Sequence, residues 1–270
     1  MTLTRRASLR LLCAAPASVA CAAPPDFSQY SDAQKEDLLL RGKIDSFAEI
    51  GHGVTKPVKA SLSLNGITHS AQIQVVDKEL PDFFPPQGNP VPSKDSWRFN
   101  VAAYRIDRLL GLRMVAVVVA RPFRGKPGAF SWWVDDVQFE EVERIKREIT
   151  PPNPEDFDRQ IALTRVFDEL IINIDRNLAN LLITNSWRVA LIDHTRSFNP
   201  YPGIRNTEKL TRCSRSLLAG MQALSSASVA KAVGAHLTPA EIRGLLGRRD
   251  RIVEFFAKAA KEKGEDKVFF

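Results

Sequence analysis

Two short apolar segments joined by a polar turn constrain the folding of this chain most strongly. Residues 181–183 are Leu-Leu-Ile and residues 189–192 are Val-Ala-Leu-Ile, and the Thr-Asn-Ser sequence after the first segment is typical of a turn. An antiparallel hairpin of these strands would bring Asn180, before the first strand, close to Asp193, after the second. The pattern therefore predicts a rigid hairpin that presents two oxygen-bearing side chains at one end.

Asp175 adds a third polar side chain, separated from Asn180 by four residues. The Asp-x4-Asn spacing is that of loops that transfer phosphate, in which the Asp orients and deprotonates the acceptor hydroxyl. Asn180 and Asp193 would then hold magnesium against the β- and γ-phosphates of ATP. An Asp-Arg pair such as Asp175 and Arg176 more often forms a turn or a cap, so that pair alone indicates little. The complete set favours a phosphate-transfer site over a simple turn.

The length and composition fit one globular catalytic domain. The chain has 270 residues, of which 44% are hydrophobic and 26% charged, so it can bury a sizeable core. The 38 basic and 31 acidic residues give a net charge of +7, but Lys and Arg are scattered along the sequence. Because nucleic-acid binding requires clustered positive charge, we expect no nucleic-acid partner.

The N-terminal segment has the pattern of an export signal. Residues 4–10 contain a twin arginine, and residues 11–23 are apolar or small and end in a possible cleavage site. We expect residues 1–23 to be a twin-arginine-type signal peptide, followed by a linker at residues 24–37. Such a signal peptide would direct the mature chain, which we expect to contain no transmembrane helix, to the periplasm or envelope. A lipid anchor at Cys21 is an alternative. A cytoplasmic chain with a non-functional leader is another.

Two motifs in the C-terminal half resemble those of a known superfamily. They resemble the Asp-Arg-His-x-x-Asn and Ile-Asp-Phe motifs of the phosphatidylinositol 3-/4-kinase-like branch of the atypical kinases, to which HipA-like toxin kinases and secretory-pathway casein kinases are related. The residues that carry the resemblance are Asp175-Arg176-Asn177-Leu178-Ala179-Asn180 and Leu191-Ile192-Asp193-His194. The resemblance implies an α+β, two-lobed protein kinase-like fold with a β-rich N-lobe at residues 38–134 and a mainly helical C-lobe at residues 135–270.

The same resemblance implies roles for individual residues. Asp175 would be the catalytic Asp, with Arg176 beside it in the catalytic loop, and Asn180 and Asp193 would bind Mg²⁺ or Mn²⁺. His194 stands where a typical kinase has Phe, so a switch based on that Phe does not transfer to this chain.

The N-terminal half contains candidates for nucleotide binding. Asn65-Gly66 predicts a hairpin turn, and the small, flexible turn before this hairpin is a candidate phosphate-covering loop. A two-glycine turn is nonspecific, so taken alone it favours a plain surface hairpin. The candidate residues in that turn are Gly51, Gly53 and Thr55.

Gln74 and Asn100 depart from the usual kinase pattern. Gln74 occupies the mid-strand position expected for a phosphate-contacting Lys, unless Lys78 reaches in from a shifted register. A proline-rich loop at residues 81–92 precedes a helix predicted at about residues 95–112, which carries Asn100 in place of the Glu that would fix the Lys. Asn100 could hydrogen-bond Gln74 but could not form an ion pair with it.

Two functions follow from this pattern. The first is an exported ATP-dependent phosphotransferase that acts on a hydroxyl of a protein or small molecule which the sequence does not specify. The second is a pseudokinase-like nucleotide- or protein-binding module without transfer activity. The presence of Asp175, Asn180 and Asp193 favours the first function. The neutral residues Gln74 and Asn100, and a periplasm that contains little ATP, favour the second. The sequence does not indicate the oligomeric state.

Overall fold

The computed structural model describes residues 30–51 and 57–270. The predicted signal peptide at residues 1–23, Gly53 and Thr55 therefore lie outside the described residues. The chain divides into an N-terminal unit that ends at Ser31 and a compact unit, Asp32–Phe270, whose fold is described below.

An antiparallel five-stranded sheet forms the first half of the compact unit. Its strand order is β1-β2-β3-β7-β6. The predicted Asn65-Gly66 turn joins β2 to β3, and both residues have positive φ, as a tight hairpin turn requires. The strands are β1 (Lys43–Glu49), β2 (Val58–Leu64), β3 (Ile67–Gln74), β6 (Val118–Ala120) and β7 (Ala129–Trp132).

Two helices and a hairpin pack around this sheet. Helix α1 (Asp32–Arg41) extends across the predicted boundary at residue 38 and contacts β2, β6 and β7, while α2 (Trp97–Leu109) contacts β6 and β7. The hairpin of β4 (Asp77–Phe83) and β5 (Val91–Ser96) replaces part of the proline-rich loop predicted at residues 81–92.

Helix α2 is shorter than the predicted range of residues 95–112. It begins after Ser96, which is extended and whose hydroxyl accepts a hydrogen bond from the Arg98 amide at 3.4 Å. It ends at Leu109 because Gly111, with φ of 69°, turns the chain out of the helix.

The predicted apolar hairpin is present and belongs to a second, three-stranded sheet. Strands β9 (Leu181–Thr184) and β10 (Val189–Leu191) pair antiparallel, with Leu181 opposite Leu191. Strand β8 (Val137–Glu140) pairs with β9 on its other side. The core positions of the hairpin are almost fully buried, so apolar packing holds it in place.

The second half of the unit is mainly helical, as predicted. A capping box of Thr238 and Glu241 begins the longest of these helices. None of the described helices combines the length and the apolar character needed to cross a bilayer. The helices are α3 (Glu141–Lys146), α4 (Pro154–Leu170), α5 (Arg215–Ala223), α6 (Ser226–Val233), α7 (Pro239–Lys263) and α8 (Glu265–Val268).

Helix α7 lies directly against the segment that follows the apolar hairpin. A Cβ atom added to Gly244 would approach the carbonyl oxygen of Pro200 to 2.7 Å, so a side chain there requires the backbone to move. Arg248, which is fully buried, donates hydrogen bonds to the carbonyl oxygens of Leu170 at 2.8 Å, Asn199 at 3.1 Å and Tyr201. Helix α7 therefore fixes the main chain of residues 199–201.

Replacing Gly244 by Ala tests this close approach. We expect Gly244→Ala to lower the free energy of unfolding by about 1–3 kcal/mol, because the added methyl group meets backbone atoms rather than a flexible side chain. The matched control is Gly220→Ala in α5, where the nearest atom to the added Cβ would be Leu110 Cδ2 at 3.6 Å. Ala favours a helix over Gly, so this control should be neutral or stabilising by up to about 1 kcal/mol. Equal stability of the two variants in denaturant unfolding would contradict the close approach.

Candidate functional site

The apolar hairpin brings Asn180 and Asp193 to the same end, as the sequence predicted. The amide of Ile192 donates to the carbonyl oxygen of Asn180 at 3.2 Å, which extends the strand pairing by one residue beyond Leu181 and Leu191. The candidate catalytic loop, residues 175–180, ends in a 3-10 turn, Leu178–Asn180, which leads into β9. The backbone of Asn180 is therefore hydrogen-bonded to the residue that directly precedes Asp193.

Asp193 has a backbone conformation that few residues adopt. Its φ is 52°, in the left-handed region where Asp is among the better tolerated non-glycine residues. Its Oδ1 atom accepts hydrogen bonds from Thr195 Oγ1 at 3.1 Å and from Gln74 Nε2 at 3.5 Å. The hydrogen bonds that the Asp193 carboxylate accepts from described residues all end on Oδ1, so Oδ2 is available to a ligand.

Gln74 and Asn100 form the hydrogen bond that the sequence suggested. Asn100 Nδ2 donates to Gln74 Oε1, and both side chains are buried. Asn100 Oδ1 also accepts a hydrogen bond from the His194 amide at 2.7 Å. Because Gln74 in turn donates to Asp193, an uncharged chain of amides connects α2 through β3 to Asp193. We call the two amide side chains, Gln74 and Asn100, the amide chain.

Arg176 holds the candidate catalytic loop in place through four hydrogen bonds. Its guanidinium pairs with both carboxylate oxygens of Asp168, at 2.8 and 2.9 Å. Its Nη1 atom donates to the carbonyl oxygens of Asn180 at 3.2 Å and Ile192 at 2.9 Å. Through these contacts Arg176 positions the hairpin end, and the catalytic role predicted for it stays a prediction.

The carboxylate of Asp175 is more exposed than its neighbours. Its side chain is 58% exposed, and its Oδ2 atom lies 2.9 Å from Arg196 Nη1. Its amide donates to Asn173 Oδ1 at 3.1 Å, which fixes the turn. Sequence reasoning missed Arg196; the only signal was a basic residue three positions after Asp193.

His194 is a core residue in this structure. It is buried, and its ring lies edge-on to Phe167 with the ring centres 6.2 Å apart. Burial, with a smaller effect from the charge of Arg176, lowers the pKa of His194 well below its ordinary value. The imidazole therefore stays neutral and fills the position where a typical kinase has Phe.

Of the remaining nucleotide-binding candidates, the structure describes Gly51 and Lys78. Gly51 is exposed just after β1, and Gly53 and Thr55 lie outside the described residues. Lys78 is an exposed residue of β4 that is paired in register with Asp95 of β5. Among the described residues, no hydrogen bond or ion pair joins Lys78 to the amide chain.

The residues at the hairpin end fit a hard divalent cation. Within residues 30–51 and 57–270, no group of three or more His, Cys, Asp or Glu residues could hold a metal. Asn180 and Asp193 would supply two protein oxygens and leave other positions for phosphate oxygens and water, as is usual for Mg²⁺. The hydrogen bonds of Asn180 within the described part of the chain involve its backbone, so its side-chain oxygen is available.

Comparison with solved structures identifies the same fold in other proteins. The structure of hydra Fam20 with sugar matches 88% of this chain and 91% of its own, with a TM-score of 0.66 and 16% sequence identity. The Golgi casein kinase with Mn and ADP bound matches 89% of this chain and 79% of its own, with a TM-score of 0.60 and 12% identity. The Helicobacter pylori proinflammatory kinase CtkA matches 83% of this chain and 98% of its own, with a TM-score of 0.53 and 12% identity.

These similarities confirm the predicted α+β, kinase-like fold. No family model matches the sequence, and no curated protein matches it either. The structural neighbours include the secretory-pathway type of atypical kinase that the sequence resemblance named among the relatives. The narrower phosphatidylinositol 3-/4-kinase-like assignment stays a prediction.

Replacing Arg176 by Met tests its positioning role. The side chains of Arg176 and Asp168 are only 12% and 10% exposed, so the variant leaves a largely buried carboxylate without its cation. We expect Arg176→Met to lower the free energy of unfolding by about 3–5 kcal/mol. The control is Arg147→Met, which removes an ion pair to Glu143 with both side chains about half exposed, and should cost at most about 1 kcal/mol. Similar losses in the two variants, measured by denaturant unfolding, would contradict this role for Arg176.

Proposed function

We propose that this protein is an ATP-dependent phosphotransferase that moves the γ-phosphate of ATP to a hydroxyl acceptor. The observation that carries the proposal is the convergence of Asn180 and Asp193 at one hairpin end, with available oxygens on both side chains, next to the loop of Asp175. The kinase-like fold supports it, because this fold places such residues around a nucleotide.

The chain's own residues would divide the chemistry as follows. Asp175 would accept a hydrogen bond from the acceptor hydroxyl and take up its proton as the new phosphate bond forms. The exposure of its carboxylate allows an acceptor to reach it. Asn180 and Asp193 would hold Mg²⁺ or Mn²⁺, which neutralises charge on the phosphates when bound. The Mn and ADP bound to the Golgi casein kinase support this choice of cofactors.

Contacts around these residues would preserve their geometry during the reaction. Thr195 orients the carboxylate of Asp193, and Arg176 holds the carbonyl groups on either side of the hairpin end. Such fixed positions contribute to rate because little reorganisation is needed in the transition state.

A second candidate function is a nucleotide- or protein-binding module without transfer activity. The amide chain favours it, because Gln74 and Asn100 are neutral where kinases use a Lys–Glu ion pair to position phosphates. The predicted export to the periplasm or envelope also favours it, since little ATP is available there. A cytoplasmic chain would remove that second argument.

Calorimetric titration of ATP with Mg²⁺ or Mn²⁺ tests the nucleotide site. We expect metal-dependent binding to the wild type and at least about a tenfold weaker binding to Asp193→Ala, because the variant loses the candidate carboxylate ligand. Asp175→Asn is the matched variant: it should bind ATP as the wild type does but release ADP about 10²–10⁴ times more slowly. Circular dichroism would establish that each variant is folded.

The outcomes distinguish the two candidate functions. Metal-dependent ATP binding with ADP release that depends on Asp175 supports the phosphotransferase. Binding with no ADP release from the wild type favours the binding module. Absence of nucleotide binding by a folded wild-type chain contradicts the nucleotide site and therefore the phosphotransferase.

A further inference from the structure

Arg196 contacts two carboxylates that belong to different parts of the fold. Its Nη1 atom lies 2.9 Å from Asp175 Oδ2, in the candidate catalytic loop. Its Nε atom donates to Asp95 Oδ2 at 3.1 Å, at the end of β5 and just before α2. The guanidinium therefore bridges the loop that would accept the proton and the strand that leads into α2.

The Asp95 side chain is fully buried, which suits a residue that holds the Arg196 guanidinium in one orientation. Its side chain is 0% exposed, and its Oδ1 atom meets no hydrogen-bond partner among the described residues. A buried carboxylate is costly unless a cation or several donors compensate its charge. Arg196 supplies that cation, so the two side chains hold each other in place.

The backbone around Arg196 is fixed on both sides. The carbonyl oxygen of Arg196 accepts a hydrogen bond from the Ile174 amide at 3.1 Å, next to Asp175. The carbonyl oxygen of Thr195 accepts one from the Ser96 amide at 2.8 Å, next to Asp95. Both carboxylates that Arg196 contacts are thus adjacent to residues hydrogen-bonded to its own segment.

The surrounding charges keep Arg196 cationic. Burial opposes the charge, but the hydrogen bond to Asp95 and the nearby Asp175 and Asp193 carboxylates hold the pKa of the guanidinium above its usual value. Arg196 is therefore a permanent positive charge among three carboxylates, in a site where Gln74 and Asn100 contribute none.

We propose that Arg196 is a positioning residue that fixes the carboxylate of Asp175 for the acceptor, and that Asp95 holds Arg196 in that orientation. This inference rests on the proposed phosphotransfer. Arg196 contacts Oδ2 of Asp175, and no described residue donates a hydrogen bond to Oδ1, which leaves Oδ1 for the acceptor hydroxyl. A rigid planar guanidinium fixes a carboxylate more strictly than a flexible ammonium does.

The test compares Arg196→Met in two backgrounds of the full chain. The measurement is the rate at which ADP is formed from Mn-ATP and released. This rate includes transfer of the phosphate to water and to any other hydroxyl. We expect Arg196→Met to slow ADP release about 10–100-fold, because a misplaced catalytic group loses its reaction geometry. In an Asp175→Asn background the same change should cause no further loss, since Arg196 acts through Asp175. The affinity for Mn-ATP should stay within about threefold of wild type, because Arg196 does not hold the metal.

Three further variants separate positioning from folding. Arg196→Lys keeps the charge without the planar fork and should recover part of the rate. Asp95→Asn should slow ADP release less than Arg196→Met, and should add nothing when combined with it. Arg98→Met is the matched control, because its side chain is also 28% exposed and pairs with an Asp, and it should release ADP as the wild type does.

The possible results distinguish a failure of this inference from a failure of the proposed function. A wild type that releases ADP, with Arg196→Met at the same rate, overturns only the inference. So does an equal loss from Arg196→Met in the wild-type and Asp175→Asn backgrounds, which would indicate a general structural defect. A wild type that releases no ADP overturns the proposed phosphotransfer, and this inference with it.

Discussion

The ion pair between Arg176 and Asp168 is the interaction on which the arrangement of the candidate site depends. Asp168 lies near the end of α4, and Arg176 contacts both Asp168 and the carbonyl oxygens of Asn180 and Ile192 at the end of the apolar hairpin. The Arg176 side chain therefore joins α4, the candidate catalytic loop and the hairpin end, and so determines how these three parts lie relative to one another. The apolar strands supply the stability of the hairpin, but their packing alone does not determine where its polar end lies.

Two separate connections link α2 and its leading strand to the segment after β10. The amide chain is neutral and ends on Asp193, whereas the bridge through Arg196 is charged and ends on Asp175. A kinase that uses a Lys–Glu pair concentrates charge at the phosphates. In this chain Gln74 and Asn100 are neutral amides that lead to Asp193, and the charged bridge through Arg196 leads to Asp175. The two connections therefore orient the two carboxylates through different side chains.

The parts of the site that depend on local pattern could be predicted from the sequence, and those that depend on distant pairing could not. Apolar strands flanking a turn predicted the hairpin of Asn180 and Asp193, and the kinase resemblance predicted the contact of Gln74 with Asn100. The β4–β5 hairpin was missed because its prolines and largely exposed β4 give no alternating pattern. The bridge from Asp95 through Arg196 joins residues about a hundred positions apart, for which one sequence contains no spacing signal.

The contacts of Arg248 bear on how freely the sequence after the hairpin can change. This side chain recognises main-chain oxygens of Leu170, Asn199 and Tyr201, and these oxygens are present whatever side chains those positions carry. The path of the segment is thus fixed in part by α7 and not by the segment's own side chains alone. Changes of side chain at these positions therefore leave the acceptors of Arg248 in place, so a change of sequence in this segment does not remove its contacts with α7.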